Sequence, residues 1–118
     1  MTSPHNVLQT IHNANHVMPD PGASGAMAPD RAFCHYDLVS AAAETRTHSA
    51  PLYAGQMVSI GMNTDGGTVT ITFAAELNAA GALTAAFDDV GDTLVLIGTY
   101  KSGALVWRIV VNVGVTIA

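Results

Sequence analysis

The sequence is short of charge. Only 11% of its 118 residues are charged, with 4 Lys and Arg against 9 Asp and Glu, and the formal net charge is -5. The four cations are scattered along the chain, so there is no basic patch of the kind that binds nucleic acid or a membrane surface. A free domain usually carries about 25% charged residues. The shortage therefore favours a surface covered by partners, with an uncharged Ala/Thr/Ser surface as the alternative.

Residue patterns typical of catalytic or metal-binding sites are also scarce. A single cysteine, Cys34, excludes an intrachain disulfide framework and a multi-cysteine zinc module. His12 and His16 stand four residues apart and residues 88–92 form an acidic turn, but neither has the ligand set of a known metal site. Nucleotide-binding and GxSxG motifs are absent. The longest apolar stretch, residues 105–118, is too short to span a bilayer. We therefore expect no enzymatic activity, no cofactor and no membrane partner.

The first 31 residues differ in composition from the rest. They hold four of the five prolines, and Pro19, Pro21 and Pro29 rule out a continuous helix. A short helix over residues 7–17 is the local alternative. We predict an extended N-terminal arm over residues 1–31, without a core of its own, followed by a β domain over residues 32–118. The apolar side chains with which the arm is expected to contact another surface are Val7, Leu8, Ile11, Val17 and Met18.

From residue 33 onward, short β-rich runs alternate with turn residues. The predicted strands cover residues 33–40, 45–48, 57–63, 68–73, 83–87, 93–100, 105–113 and 115–117. This spacing predicts an all-β fold, a small antiparallel β-sandwich or barrel of about seven or eight strands, jelly-roll-like or tulip-like. Asp65, Gly66 and Gly67 predict a hairpin turn between the third and fourth strands, and Gly91 and Asp92 lie in a second turn.

The strands over residues 93–100 and 105–113 are apolar on both faces. A strand in a simple two-layer fold needs only one apolar face, so the second face is expected to meet another protomer or the arm. The alternative is a central strand covered on both sides within the domain. Val106 and Val110, or the alternate pair Trp107 and Ile109, are expected to face a symmetry mate, and the pattern leaves open which pair does so.

Five short sequence segments, here called phrases, resemble segments of a known group of proteins. They are AETRT at 43–47, PLYAGQ at 51–56, DGGTVTITF at 65–73, FDDVGD at 87–92 and GALVWR at 103–108. With these phrases, about two thirds of the chain resembles small virion-surface proteins of tailed bacteriophages, of the capsid decoration (cement) type.

The resemblance implies a homotrimer on the outer surface of an icosahedral phage head. Its partners would be the major capsid protein and further copies of itself, and it would stabilise the shell by bridging capsid subunits. The arm lies outside the resembling region, and its capsid contact is inferred from its composition. A fibre or spike module that binds a receptor or glycan, another minor virion structural protein and a small hydrolase are the competing interpretations.

Overall fold

The computed structural model describes residues 15–118 and confirms an all-β chain with two packed sheets. This part of the chain holds ten strands and no helix, hence none that is long and apolar enough to cross a membrane. The strands are β1 Asn15–Met18, β2 Gly25–Met27, β3 Phe33–Val39, β4 Glu44–His48, β5 Met57–Thr64, β6 Val69–Phe73, β7 Thr84–Phe87, β8 Thr93–Lys101, β9 Ala104–Val113 and β10 Thr116–Ile117. Sheet A has the order β1-β3-β5-β8-β9, and sheet B has the order β10-β7-β6-β4-β2.

The sheets are mixed rather than antiparallel. The first six strands alternate between sheets A and B, so β1, β3 and β5 pair in parallel in one sheet and β2, β4 and β6 in the other. The remaining strands add antiparallel pairs. The prediction of an antiparallel fold is therefore wrong in part. Alternation of apolar and polar residues marks which side of a strand is buried, but it does not fix the direction of the neighbouring strand.

The hairpin predicted at Asp65, Gly66 and Gly67 is wrong. The strands on its two sides, β5 and β6, belong to different sheets, and neither glycine has a positive φ. A Cβ atom at Gly66 would overlap the carbonyl oxygen of Ser40, and one at Gly67 would overlap the carbonyl carbon of Ala42. The Ser40 hydroxyl donates to the Gly67 carbonyl at 2.7 Å and accepts from the Gly66 N–H at 3.1 Å. Glycine is needed here because the loop between β5 and β6 packs in direct contact with the loop between β3 and β4.

The turn predicted at Gly91 and Asp92 is present, and a second tight turn joins β8 to β9. β8 and β9 form a hairpin in which Ser102 (φ 50°) and Gly103 (φ 83°) both adopt positive φ, as a tight two-residue turn requires. Gly91 has a φ of 95°. The neighbouring Asp92 carboxylate accepts two backbone N–H groups of the same turn at 2.9 and 3.0 Å. The last predicted strand, β10, pairs with β7 of its own chain and completes sheet B.

Residues 15–31 belong to the β domain, which corrects the predicted boundary after residue 31. They supply β1 and β2, and Met27 is only 1% exposed. The Asp20 carboxylate binds the buried Arg46 guanidinium through two oxygens, at 2.9 and 3.0 Å. Residues 15–17 lie in a strand, which excludes them from the short helix that was the alternative to an extended arm. The rest of the predicted arm, residues 1–14, lies outside the described residues.

The core lies between the inner faces of the two sheets, and the imidazole of His48 is buried in it. His48 packs against the rings of Phe73 and Trp107, with centroid distances of 4.7 and 5.5 Å. The His48 Nδ1 donates to the Ser49 carbonyl at 2.8 Å, and the Trp107 Nε1 donates to the same oxygen at 2.9 Å. Burial lowers the pKa of His48 to about 4, because the charged imidazolium would lose its hydration.

Candidate functional site

The side chains of sheet A that point away from the core are mostly apolar. Residues at alternate positions, such as Leu94 and Leu96 of β8, are fully buried in the core, so their neighbours form the opposite surface. Strand register aligns these neighbours in three rows. We call this surface the outer face of sheet A: Phe33, Met57, Ile97 and Arg108; Val17, His35, Ser59, Val95 and Val111; and Asp37, Gly61, Thr93 and Val113.

The corresponding face of sheet B has a different composition. Its outward rows contain only threonine and alanine: Ala26, Thr47, Thr72 and Thr84; and Thr45, Thr70, Ala86 and Thr116. Threonine forms strands as readily as valine and keeps a hydroxyl toward water. Strand formation therefore does not require the apolar side chains on sheet A. A half-exposed apolar sheet face of this extent is typical of an interaction surface.

The charged groups on the outer face of sheet A are hydrogen-bonded within the chain. The Arg108 Nη2 donates to the Glu76 Oε1 at 2.9 Å, and the Lys101 Nζ donates to the same oxygen at 2.7 Å. Hydrogen bonds from Lys101 and Arg108 lower the pKa of the Glu76 carboxyl. Asp37 accepts from His35 at 2.8 Å. These contacts give each charged group a hydrogen-bond partner within the chain, with Lys101 and Arg108 sharing the one carboxylate of Glu76.

Ser59, His35 and Asp37 form a hydrogen-bonded chain in the middle of this face. The Ser59 Oγ lies 2.6 Å from the His35 Nδ1, and the His35 Nε2 lies 2.8 Å from the Asp37 Oδ1. These are the groups of a Ser-His-Asp nucleophile, but β5 is paired on both sides, so the backbone N–H groups beside Ser59 are engaged in the sheet. An acyl-transfer site needs free donors for the oxyanion. Ser59, His35 and Asp37 instead satisfy one another's hydrogen bonds at the surface of the sheet.

Part of the Ser59–His35–Asp37 arrangement could be predicted from the sequence. His35 and Asp37 are two residues apart in a predicted strand, which places both on the same face. Their approach to Ser59 depends on the register between β3 and β5, which pairs His35 directly with Ser59. That register comes from a parallel pairing that local sequence did not indicate.

The two edge strands of sheet A, β1 and β9, carry exposed valines. Val17 of β1 is 67% exposed, and Val110 and Val113 of β9 are 51% and 56% exposed. The edge of β9 is covered near Trp107, whose backbone N–H donates to the Glu76 carbonyl at 3.2 Å. Within the part of the chain that the structure describes, no strand pairs with the outer edge of β1 or of β9.

Of the four residues in the two alternative pairs predicted to face a symmetry mate, only Val110 is exposed, and Ile109 packs against the core. Val106 is 7% exposed and Trp107 is 0% exposed, because the indole lies in the core, whereas Val110 is exposed. Val95 pairs with Val111 and Leu96 pairs with Ile109, so Val110 is the extra residue of a β-bulge. The bulge reverses the alternation along β9. A simple period of two, which would place Val106 and Val110 on one face, therefore fails at this position.

The remaining predicted site residues are the apolar residues of the arm and the turn residues. Val17 is exposed on β1 and Met18 packs against the core, whereas Val7, Leu8 and Ile11 lie outside the described residues. The turn residues Asp65, Gly66, Gly67, Gly91 and Asp92 shape connections between strands. Among residues 15–118, no group of three or more His, Cys, Asp or Glu side chains is placed to hold a metal ion.

No family model matches the sequence, and no curated protein matches it.

Proposed function

We propose that this protein is a capsid decoration protein, a β-sandwich module that binds the outer surface of an icosahedral phage head as a homotrimer and bridges major capsid protein subunits. The observation that carries the proposal is the difference between the two sheet faces. Sheet A presents large apolar side chains (valine, isoleucine, methionine and phenylalanine) outward beside a few polar ones, whereas sheet B presents only threonine and alanine. A protein whose role is adhesion needs such a surface and does not need a catalytic cleft.

The low charge of the chain supports the same proposal. Apolar surface removed from water contributes about 25 cal/mol per Å² to association, and a surface with few charges loses little hydration when it is covered. The charged groups that the outer face of sheet A does carry are hydrogen-bonded within the chain, as Arg108 is to Glu76. Both properties favour a permanent structural contact over a transient encounter.

The capsid contact of the N-terminal arm is proposed for residues 1–14. Residues 15–31 are part of the two sheets, so they hold the arm to the module instead of extending from it. Val7, Leu8 and Ile11 supply the apolar side chains that would enter pockets between capsid subunits. Three such segments on one trimer raise the avidity by roughly 10²–10⁴ over a single contact.

The test is binding of the full-length protein to purified phage heads that lack it. We expect cosedimentation with the heads, and density on the capsid surface by electron microscopy. Combined replacement of Val7, Leu8 and Ile11 by serine should abolish occupancy. The matched control replaces the neighbouring polar residues Asn6 and Thr10 by serine and should retain it. Density on the tail, or no binding by the wild-type chain, would contradict the proposal.

A further inference from the structure

A groove lies beside β9 near its hairpin with β8. It has a volume of about 510 Å³ and is bounded by the hairpin and by the loop that joins β6 to β7. Its lining is mostly apolar and includes Ala50, Ala74, Leu83, Leu105 and Val106. Leu83 is 44% exposed, so one apolar wall of the groove is open to water. The volume lies within the usual range for a ligand site.

The backbone of β9 presents two polar groups at its outer edge beside this groove. The Gly98 N–H donates to the Gln56 carbonyl at 2.7 Å, so Gly98 does not exchange hydrogen bonds with its register partner Trp107. Paired residues of an antiparallel ladder alternate between bonded and non-bonded, so Tyr100 and Leu105, two residues further along, are also a non-bonded pair. The Leu105 N–H and carbonyl therefore point away from β8, and among residues 15–118 no backbone group binds them. An extended chain beside β9 would supply the missing partners.

The rim of the groove carries an excess of positive charge. The Lys101 Nζ and the Arg108 Nη2 bind the same Glu76 oxygen, at 2.7 and 2.9 Å, so two cations share one carboxylate. The other Lys and Arg side chains of the chain each have at least one acid of their own: Arg31 beside Asp30, and Arg46 beside Asp20 and Glu44. In a chain with a formal net charge of -5, this rim is the place that favours an anionic group by charge complementarity.

We propose that this groove binds an extended segment of the major capsid protein in which an acidic side chain stands next to small aliphatic residues. The backbone of the segment would lie along the edge of β9 and pair with the Leu105 N–H and carbonyl. Its carboxylate would bind the Lys101 ammonium, and its aliphatic side chains would contact Leu83. The inference rests on the proposed function for the source of the segment, and it assigns the groove that receives it.

The backbone groups of Leu105 favour a peptide over a small aliphatic acid. An aliphatic acid could place its carboxylate at Lys101 and its hydrocarbon chain against Leu83. It has no N–H group to donate to the Leu105 carbonyl, whereas a peptide backbone both donates and accepts. Lys101 is 47% exposed, so its contact with the segment is expected to weaken as salt is added.

The first test adds the capped peptide acetyl-Thr-Val-Glu-Val-Thr-amide to the isotope-labelled full-length protein and records amide NMR spectra. We expect shifts concentrated at Leu83 and Leu105, with the Leu105 amide moving downfield as it gains an acceptor. The same peptide with Gln in place of Glu should bind about tenfold more weakly, because it lacks the charge-assisted contact. No shift at Leu105, or equal affinity for the two peptides, would overturn the inference. Octanoate that binds as tightly as the Glu peptide would also overturn it, since backbone pairing would then be unnecessary.

The second test places the contact in the groove. Lys101→Gln should weaken binding of the Glu peptide about tenfold and leave the Gln peptide unaffected. Its matched control is Arg31→Gln, at a cation that lies 3.9 Å from Asp30 and outside the groove lining. Leu83→Ser should weaken binding of both peptides, whereas Leu52→Ser, at a leucine that is 57% exposed and does not line the groove, should not. Equal effects of the groove variants and their controls would contradict the assigned position.

Purified phage heads separate this inference from the proposed function. The wild-type chain and Arg31→Gln should bind heads several-fold more tightly than Lys101→Gln. Equal binding by all three would reject the groove contact and leave the decoration function in place. A chain that binds the Glu peptide as expected but does not bind heads would support the chemistry of the groove and reject the function. Self-association of the chain that Lys101→Gln abolishes would assign the groove to a second copy and overturn the inference.

Discussion

His48 is expected to make the fold sensitive to mild acid. The imidazole is enclosed by aromatic rings, and its Nδ1–H is bound to the Ser49 carbonyl. Its Nε2 is buried and has no hydrogen-bond partner among residues 15–118. Protonation would place a charge and an unpaired donor at this nitrogen, and burial accordingly lowers the pKa of His48 from 6.5 to about 4.

The size of the effect follows from proton linkage. In the unfolded chain the imidazole takes up a proton below its ordinary pKa of 6.5, whereas in the folded chain it does so only near its pKa of about 4. The unfolded state therefore binds more protons between these values, so stability is complete above pH 6.5 and falls as the pH decreases. At 1.36 kcal/mol per pKa unit, His48 should lower the free energy of unfolding by about 2 kcal/mol at pH 5 and by about 3 kcal/mol below pH 4.

The assay is urea unfolding at fixed protein concentration between pH 7.5 and pH 5. In this range the carboxyl groups of Asp20 and Glu44, whose pKa values are lowered by their contacts, contribute little, because their stabilisation is lost only at lower pH. His48→Gln keeps an amide donor for the Ser49 carbonyl and does not titrate. We expect it to remove most of the pH dependence in this range. An equal loss of stability in the variant and the wild type would refute the role of His48.

Two further predictions concern contacts that hold the sheets together. Gly67→Ala should lower the free energy of unfolding by more than about 1 kcal/mol, because its methyl group would overlap a stacked backbone. Gly61→Ala, whose Cβ would meet nothing closer than 4.0 Å, should be nearly neutral, and equal losses measured by thermal unfolding would contradict the stacking. Asp20→Asn should cost about 2 kcal/mol, because the side chain of Arg46 is 0% exposed and would lose one of its two ionised partners while keeping Glu44, 3.0 Å away. Asp30→Asn, at a carboxylate that is 58% exposed, is the control, and a similar urea midpoint for both variants would argue against the buried pair.

Most of the strand positions follow from local sequence. All eight predicted strands appear within a residue or two of their expected ends. The hairpin between β8 and β9 also follows, because Ser102 and Gly103 sit between two long β-rich runs. These features depend on alternation and on turn chemistry, both of which act over a few neighbouring residues.

Pairing and direction do not follow from local sequence. Gly66 and Gly67 match a hairpin signal, yet their role is to let one connection pass close to the connection at Ser40. Residues 15–31 lack a strong strand signal. They join the sheets because β1 pairs with the edge of β3, β2 pairs with the edge of β4, and Asp20 forms a salt bridge with Arg46.

By itself the sequence determined that the chain is all-β, that its surface is poor in charge and that its last two long strands are apolar on both faces. Only the tertiary structure decided which apolar residues are core and which are surface. The bulge at Val110 reverses the alternation along β9 and leaves Trp107 inside, while strand register aligns Val17, Val95 and Val111 on one outward face. The physical reason is that hydrophobicity records how much a residue gains from burial, whereas the partner that buries it is set by contacts between residues far apart in the chain.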